Sequence, residues 1–374
     1  MSNIDLFLLA GEPSGDLHGA ALIRELLILD PTLRIAAVAG PRMRALPIEC
    51  IEPMESLSVM GFIDVAKSLP KLMRLFFSLR DKILSLSPKA FIGIDYPGFN
   101  LRMHTSLRKQ GYLGKQIHYI CPTVWAWGKK RIPKMESSLD LLLTLLPFEP
   151  DCFAHTSLKA EYVGHPLTEP IAHFRPDPTF RARLGFARTD KILALFPGSR
   201  AKEIERNLPL MQQAAKSIVD PHLRVVISQD LPPEENYNLM RNAHLALAKS
   251  GTIALELALH KTPTLVQYAI RPLDVFLATK LFRINLPYYA LPNLILQKEV
   301  FPELFGPRLT PEALARHAKT LWFDETKRQQ VIDTASELWG ILGQNSASRT
   351  AAERILSLKI RSQTSNFQGS LATN

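Results

Sequence analysis

Residues 4–20 read IDLFLLAGEPSGDLHGA: a continuous apolar run, then glycines at 11, 15 and 19, each four residues from the last. An unbroken apolar run that ends in turn-forming residues reads as a parallel strand buried on both faces and entering a helix, the repeating unit of a doubly wound α/β sheet. The dinucleotide fingerprint requires Gly-x-Gly-x-x-Gly, so this glycine spacing weakens a nicotinamide-cofactor reading. The stretch does place Glu12, Ser14 and Asp16 at the carboxyl end of the strand, where open α/β sheets bind ligands. Ser14 is expected to cap the following helix. Glu12 has no helix-capping register on this reading and is the better functional candidate.

The pattern recurs along the chain. Apolar runs at 34–40, 90–95, 116–120 and 141–146 extend the first series, and runs at 191–197, 224–228, 245–250 and 264–268 form a second. Between them lies VGHPLTEPIAHFRPDP (163–178), whose prolines break regular elements and mark a junction. The expected architecture is α/β, with two doubly wound Rossmann-like domains facing a cleft and a helical C-terminal end. The expected boundaries are 1–165, 166–345, a terminal helix over 346–360, and a polar, disordered tail over 361–374.

Composition narrows the classes. The 374 residues are 46% hydrophobic and 21% charged, as in a folded globular chain of more than one domain. The first apolar run lacks the flanks of a signal peptide, and LDLLLTLLPF (139–148) is too short to span a bilayer. Cys50, Cys121 and Cys152 are scattered, which fits reduced thiols in a cytoplasm. A net charge of +10 suits nucleic acid, anionic lipid or a phosphorylated substrate. The cations are dispersed and no nucleic-acid module is present, so lipid or small phosphates lead and no nucleic-acid partner is expected.

Further stretches carry chemistry. GIDYPGFN (93–100) ends another strand at Asp95, a candidate base or hydroxyl ligand beside Glu12, or an ordinary turn aspartate. PTVWAWGKKR (122–131) sets Trp125 and Trp127 before three cations, as a sugar or lipid surface or as a buried aromatic anchor. LALFPGSRAKEIE (193–205) is a strand, a turn at Gly198, Ser199 and Arg200, and a helix whose free N–H groups suit an anion. Arg200 adds a forked cation suited to a diphosphate. The P-loop spacing is absent. AKSGTIALE (248–256) repeats the device with Ser250, Gly251 and Thr252, and sets Glu256 one turn on, within reach of a ribose hydroxyl. His165 in VGHPL reads as a hydrogen-bonded linker histidine, and Trp322 and Trp339 as core. Residues 59–86 mix Leu72, Met73, Leu75, Phe76 and Phe77 with Lys67, Lys71, Arg74, Arg80 and Lys82, either a membrane-surface helix or a core helix.

Taken in order, AGEPSGDLHGA, GIDYPGFN, PTVWAWGKKR, VGHPL, LFPGSR, SGTIALE and LPNL (291–294) resemble the lipid-A-disaccharide synthase family over roughly residues 4–355. The resemblance implies a glycosyltransferase-B fold. It also implies transfer of 2,3-diacylglucosamine from its UDP carrier to 2,3-diacylglucosamine 1-phosphate, giving a β-1,6-linked disaccharide and UDP at the cytoplasmic face of the inner membrane. Members commonly carry a second aspartate where this chain has Gly98, which moves the general base to Asp95, with Glu12 next. Arg200, the two helix N-termini and Asn293 would stabilise the departing diphosphate, and Glu256 would hold the ribose. No Asp-x-Asp pair occurs, so neither metal nor cofactor is expected. The helical end is expected to return to the first domain or, as the resemblance allows, to exchange with a partner chain in a homodimer. The alternatives are a UDP-sugar epimerase or a non-catalytic nucleotide-sugar or lipid-binding protein of the same fold.

Overall fold

The computed structural model describes residues 4–57, 62–269, 286–343 and 346–358, with side chains in the second span described from residue 70. The expected tail over 361–374, residues 59–61 of the amphipathic segment and the side chains of 62–69, Lys67 among them, lie outside that description. The chain divides into two compact units. One comprises the residues up to 145, 149–164 and those from 346 onward; the other comprises 146–148 and 165–345.

The first unit is built on a parallel seven-stranded sheet of order β3-β2-β1-β4-β5-β6-β7. Its strands are β1 (Leu6–Ala10), β2 (Ile35–Ala39), β3 (Glu49–Pro53), β4 (Ala90–Ile94), β5 (Lys115–Tyr119), β6 (Leu141–Thr144) and β7 (Ala160–Tyr162). Every residue of β1, β2 and β4 is buried, which is why these strands read as unbroken apolar runs. Helix α1 (Pro13–Leu29) starts with proline in its first turn, where no N–H is needed. Helices α2 (Phe62–Leu86) and α3 (Pro97–Lys109) follow. Leu22, Ile23 and Leu26 of α1 share a core with Ala351, Ala352 and Ile355 of the terminal helix Ala347–Ser357.

The glycines of the opening stretch serve packing. A Cβ on Gly11 would stand 2.2 Å from the Tyr96 ring, and one on Gly19 would stand 2.6 Å from Met43 Sδ. Asp16 is buried and accepts hydrogen bonds from the backbone N–H of Arg42 (2.9 Å) and Met43 (3.0 Å), capping the short helix Pro41–Arg44. Gly40 makes room for it, since a Cβ there would meet Asp16 Cγ at 2.4 Å. The expected Ser14 cap is not formed. Glu12 occupies the N-cap position with extended backbone, because Pro13 begins the helix, and Ser14 falls inside the first turn.

The second unit carries a parallel five-stranded sheet of order β12-β11-β10-β8-β9. Its strands are β8 (Lys191–Phe196), β9 (Leu223–Ile227), β10 (Ala243–Lys249), β11 (Thr264–Tyr268) and β12 (Glu303–Phe305). Helix α4 (Ala201–Lys216) follows β8, and α5 (Thr252–Leu259) follows β10. Trp322 is buried and donates to Asp220 (2.9 Å), and Trp339 donates to the Leu259 carbonyl (3.0 Å), so both indoles have core partners. His165 is buried, its Nδ1 accepting from the Leu167 N–H (3.3 Å).

Asp16→Ala is expected to destabilise the first unit by about 1.5–3 kcal/mol, because the buried Met43 N–H and the part-buried Arg42 N–H lose a charged acceptor. Chemical denaturation followed by a probe in that unit measures it, and an unchanged midpoint would contradict the assigned cap.

Candidate active site

In a doubly wound sheet the crevice for ligands lies where the strand order reverses. That point falls between β1 and β4 in the first unit and between β8 and β10 in the second.

At the β1/β4 edge the chain leaves β4 through two consecutive left-handed residues, Asp95 and Tyr96, both at φ 48°. Non-glycine residues pay for this conformation, and here the surroundings enforce it. Asn100 is fully buried, and its Nδ2 donates to the carbonyls of Asp95 (2.8 Å), Ile94 (3.2 Å) and Leu9 (3.4 Å). The Asp95 N–H donates to the Tyr119 carbonyl at 2.9 Å. The Tyr96 ring stacks on Phe99 (5.9 Å) and fills the space that Gly11 leaves free. The turn brings the Asp95 carboxylate to the start of α1, where the Ser14 hydroxyl donates to Oδ2 at 3.4 Å.

Glu12 lies exposed at the same helix start, and its charge joins burial in raising the Tyr96 phenol above its usual range. His18, one turn further along α1, sits close enough to feel the Asp95 charge, although burial dominates and lowers its pKa. The sequence reading passed over His18; its placement one helical turn from Ser14 was the available signal. Gly98 is exposed, with nothing within 4 Å of the place a Cβ would occupy. Trp125 donates to the buried Glu149 (3.3 Å), whereas Trp127 is exposed under the Arg131 guanidinium (4.7 Å).

At the β8/β10 edge, Gly198, Ser199, Ser250, Gly251, Thr252 and Glu256 line one cavity of about 250 Å³. Gly198 has φ 122°, and a Cβ there would meet Glu203 at 2.6 Å, so the turn requires glycine. Glu203 Oε2 accepts from the Ser199 N–H (3.3 Å), while Oε1 faces Arg200 (3.4 Å) and Lys249 (3.2 Å). Arg200 projects into solvent with its side chain 84% exposed. Lys249, absent from the expected site, lines the cavity beneath Ser250 and lies 4.8 Å from the Tyr268 ring centroid. Gln229, also absent from the expected site, donates to the Gly198 carbonyl (2.7 Å) and fixes the turn from β9. Burial raises Glu256 to about 7, so near neutrality it is both a donor and an acceptor.

Asn293 is not in this cavity. It is fully buried, its Oδ1 accepting from the Val300 and Phe301 N–H groups (both 2.9 Å) and its Nδ2 donating to the Phe301 carbonyl (2.8 Å). Its amide is consumed in shaping the 293–301 loop, which removes it from the diphosphate set expected from sequence.

Two parallel doubly wound sheets, each with polar groups gathered at its switch point, define the glycosyltransferase-B fold. The solved glycotransferase of kitacinnamycin superposes with a TM-score of 0.58 over 96% of this chain and 99% of its own, at 14% identity. A family model described as lipid-A-disaccharide synthetase matches residues 6–228 and 224–355, and the chain belongs to that family. The lipid-A-disaccharide synthase of Chlamydia pneumoniae is 40% identical over 353 residues, covering 87% of this chain and 58% of that protein. The corresponding protein of Pseudomonas syringae pv. syringae is 36% identical over 386 residues, covering 96% and 99%. This chain thus spans little more than half the length of the chlamydial relatives it matches.

Glu256 gives a pH signature. Its pKa is raised on folding, so folding is unopposed by this group below the ordinary carboxylate range and loses stability as pH rises toward and through about 7. Glu256→Gln is expected to raise the stability of the second unit at pH 8 by about 1–2 kcal/mol and to leave it unchanged at pH 4. Thermal melts at both pH values test this, and a gain equal at both would assign the effect to something other than the buried charge.

Proposed function

We propose that the protein condenses UDP-2,3-diacylglucosamine with 2,3-diacylglucosamine 1-phosphate, releasing UDP and forming the β-1,6-linked disaccharide 1-phosphate. The observation that carries this is the presence, in one chain of this family, of the Asp95 carboxylate held against Ser14 at one switch point and a cavity lined by Ser199, Ser250, Gly251 and Thr252 at the other. The acceptor 6-hydroxyl attacks the anomeric carbon of the donor. The new carbon–oxygen bond forms as the bond to the diphosphate breaks, with inversion, and UDP leaves with the electron pair.

Asp95 receives the hydroxyl proton, oriented by Ser14 and by the strained turn, with Glu12 supplying a second carboxylate. The diphosphate is received by the hydroxyls and backbone of Ser199, Ser250 and Thr252 at the starts of α4 and α5, with Lys249 in the lining and Arg200 swinging in from solvent as the cations that offset it. Glu256 pairs with the ribose. Among the described residues no helix is long and apolar enough to cross a membrane. Delivery of acylated substrates instead uses α2, where Met73 (41%) and Phe77 (43%) are exposed among Lys71, Arg74 and Lys82, as contact with an anionic leaflet requires. On this reading the protein works peripherally at the cytoplasmic face of the inner membrane.

UDP release from the diacyl donor in detergent micelles, with and without the phosphorylated acceptor, tests the reaction. Release should depend on acceptor and fall about 100-fold or more in Asp95→Ala. Acceptor-independent turnover of the donor would favour a sugar epimerase, a chemistry that this fold also carries in solved UDP-N-acetylglucosamine 2-epimerases. For the membrane contact, the pair Met73→Ser and Phe77→Ser should weaken sedimentation with phosphatidylglycerol vesicles while leaving the fold intact. Undiminished sedimentation would remove α2 from that role.

A further inference from the structure

Helix α3 presents two chemically different faces. Asn100, Met103, His104 and Leu107 are buried, while Gly98, Arg102, Thr105, Ser106 and Lys109 recur at three- and four-residue spacing and line a separate cavity of about 550 Å³. Met73 and Phe76 of α2 contribute apolar lining together with Tyr96, and Lys134 contributes a third cation. The lining contains no carboxylate. Arg102, Lys109 and Lys134 form no ion pair among the described residues, whereas Arg108 on the same helix is paired with Asp140 at 2.8 Å. Unpaired cations in a cavity walled by aromatic and aliphatic side chains complement an amphiphile with an anionic head.

The cavity also includes Tyr96 and Gly98, which directly follow the candidate base. Along the helix axis Arg102 stands about 6 Å beyond Gly98, the length of one sugar residue. A bilayer headgroup has no need to sit against Asp95, whereas a reacting acceptor must. We propose that this cavity binds the acylated acceptor, with its phosphate held by Arg102, Lys109 and Lys134 and an acyl chain laid along Met73 and Phe76. The inference rests on the transferase reading and deepens it by assigning the groups that select a phosphorylated acceptor.

The test is equilibrium binding of diacylglucosamine 1-phosphate and of its dephosphorylated counterpart to the full chain in detergent micelles, which needs no turnover. The wild type should prefer the phosphorylated form by about 100-fold, and Arg102→Gln/Lys109→Gln/Lys134→Gln should abolish most of that preference. In turnover the same variant should raise KM for the acceptor and leave KM for the UDP donor unchanged. Lys109→Arg/Lys134→Arg should keep the preference, separating loss of charge from loss of structure. Equal binding of the two acceptors by the wild type, or a preference that survives the triple substitution, overturns the proposal. So does a triple variant that loses phosphatidylglycerol vesicle binding while keeping its acceptor preference, because the cations then serve the bilayer. Absence of UDP release with the binding preference intact would instead defeat the transferase reading and leave the cavity assignment standing.

Discussion

The side-chain amide of Asn100 governs the geometry of the first unit. Three backbone carbonyls at the end of the central strands, on Leu9, Ile94 and Asp95, converge on one Nδ2. That convergence holds two consecutive residues left-handed, an arrangement neither would choose alone. Everything at this edge follows from it. Tyr96 is thrown against Gly11, Asp95 is turned toward Ser14, and α3 begins in the direction that sets its outer face beside α2. The glycine spacing that resembles a phosphate cradle is the other half of this fit, because Gly11 and Gly19 are where the sheet and α1 admit large neighbours.

The second unit solves a different problem. The start of α4 suits an anion, yet Glu203 from its own first turn already reaches the Ser199 N–H. A diphosphate arriving there meets a carboxylate, so the balance of charge around the cavity decides whether it is welcome. Lys249 and Arg200 both face Glu203 and offset it. Glu256, raised to about 7 by burial, contributes only part of a negative charge near neutrality. Of the charged groups that line the cavity, Lys249 offsets Glu203 and Glu256 is only partly ionised near neutrality, while Arg200 stands outside the lining in solvent and reaches Glu203 from there.

What was legible in the sequence was whatever the sheet interior dictates. The two series of runs correspond to β1, β2, β4, β5 and β6 and to β8 to β11; most are central strands whose burial on both faces demands apolar residues, whereas β5 also buries Gln116 and His118 and β9 is a partly exposed edge. Strands β3, β7 and β12 escaped because edges alternate polar and apolar residues or span only three, so ECIEP, AEY and ELF carry no buried signature. Turn residues at strand ends were equally visible: those at Gly198–Ser199 and Ser250–Thr252 converge on one cavity. Residues whose role depends on a partner distant in sequence were not. Asn293 resembles a ligand-binding asparagine until its loop closes around it, and Lys249 reads as the end of a strand until Glu203 is brought opposite. Ser14 sits two residues past the N-cap rather than on it, because Pro13 starts the helix and leaves Glu12 at the cap.

The interior beneath Asp95 explains why the turn is held so firmly. Gly93 lies two residues before Asp95, and a Cβ there would stand 2.8 Å from His104 Nε2, so α3 approaches β4 closely at this point. His104 Nδ1 pairs with Gln116 Oε1 at 3.1 Å, and its ring meets His118 edge-on at 5.6 Å. Burial drives His118 down to about 3 and His104 well below its ordinary value, so both remain neutral and α3 is spared a buried charge over the physiological range. Protonation of either ring would place that charge against β4 without a counter-ion in contact. A single helix thus carries the clamp for the candidate base, a neutral histidine layer that depends on β5, and the cationic face of the cavity proposed for the acceptor. These demands fall on different residues of α3, separated by the helical period, which allows one surface to be retuned while the turn keeps its shape.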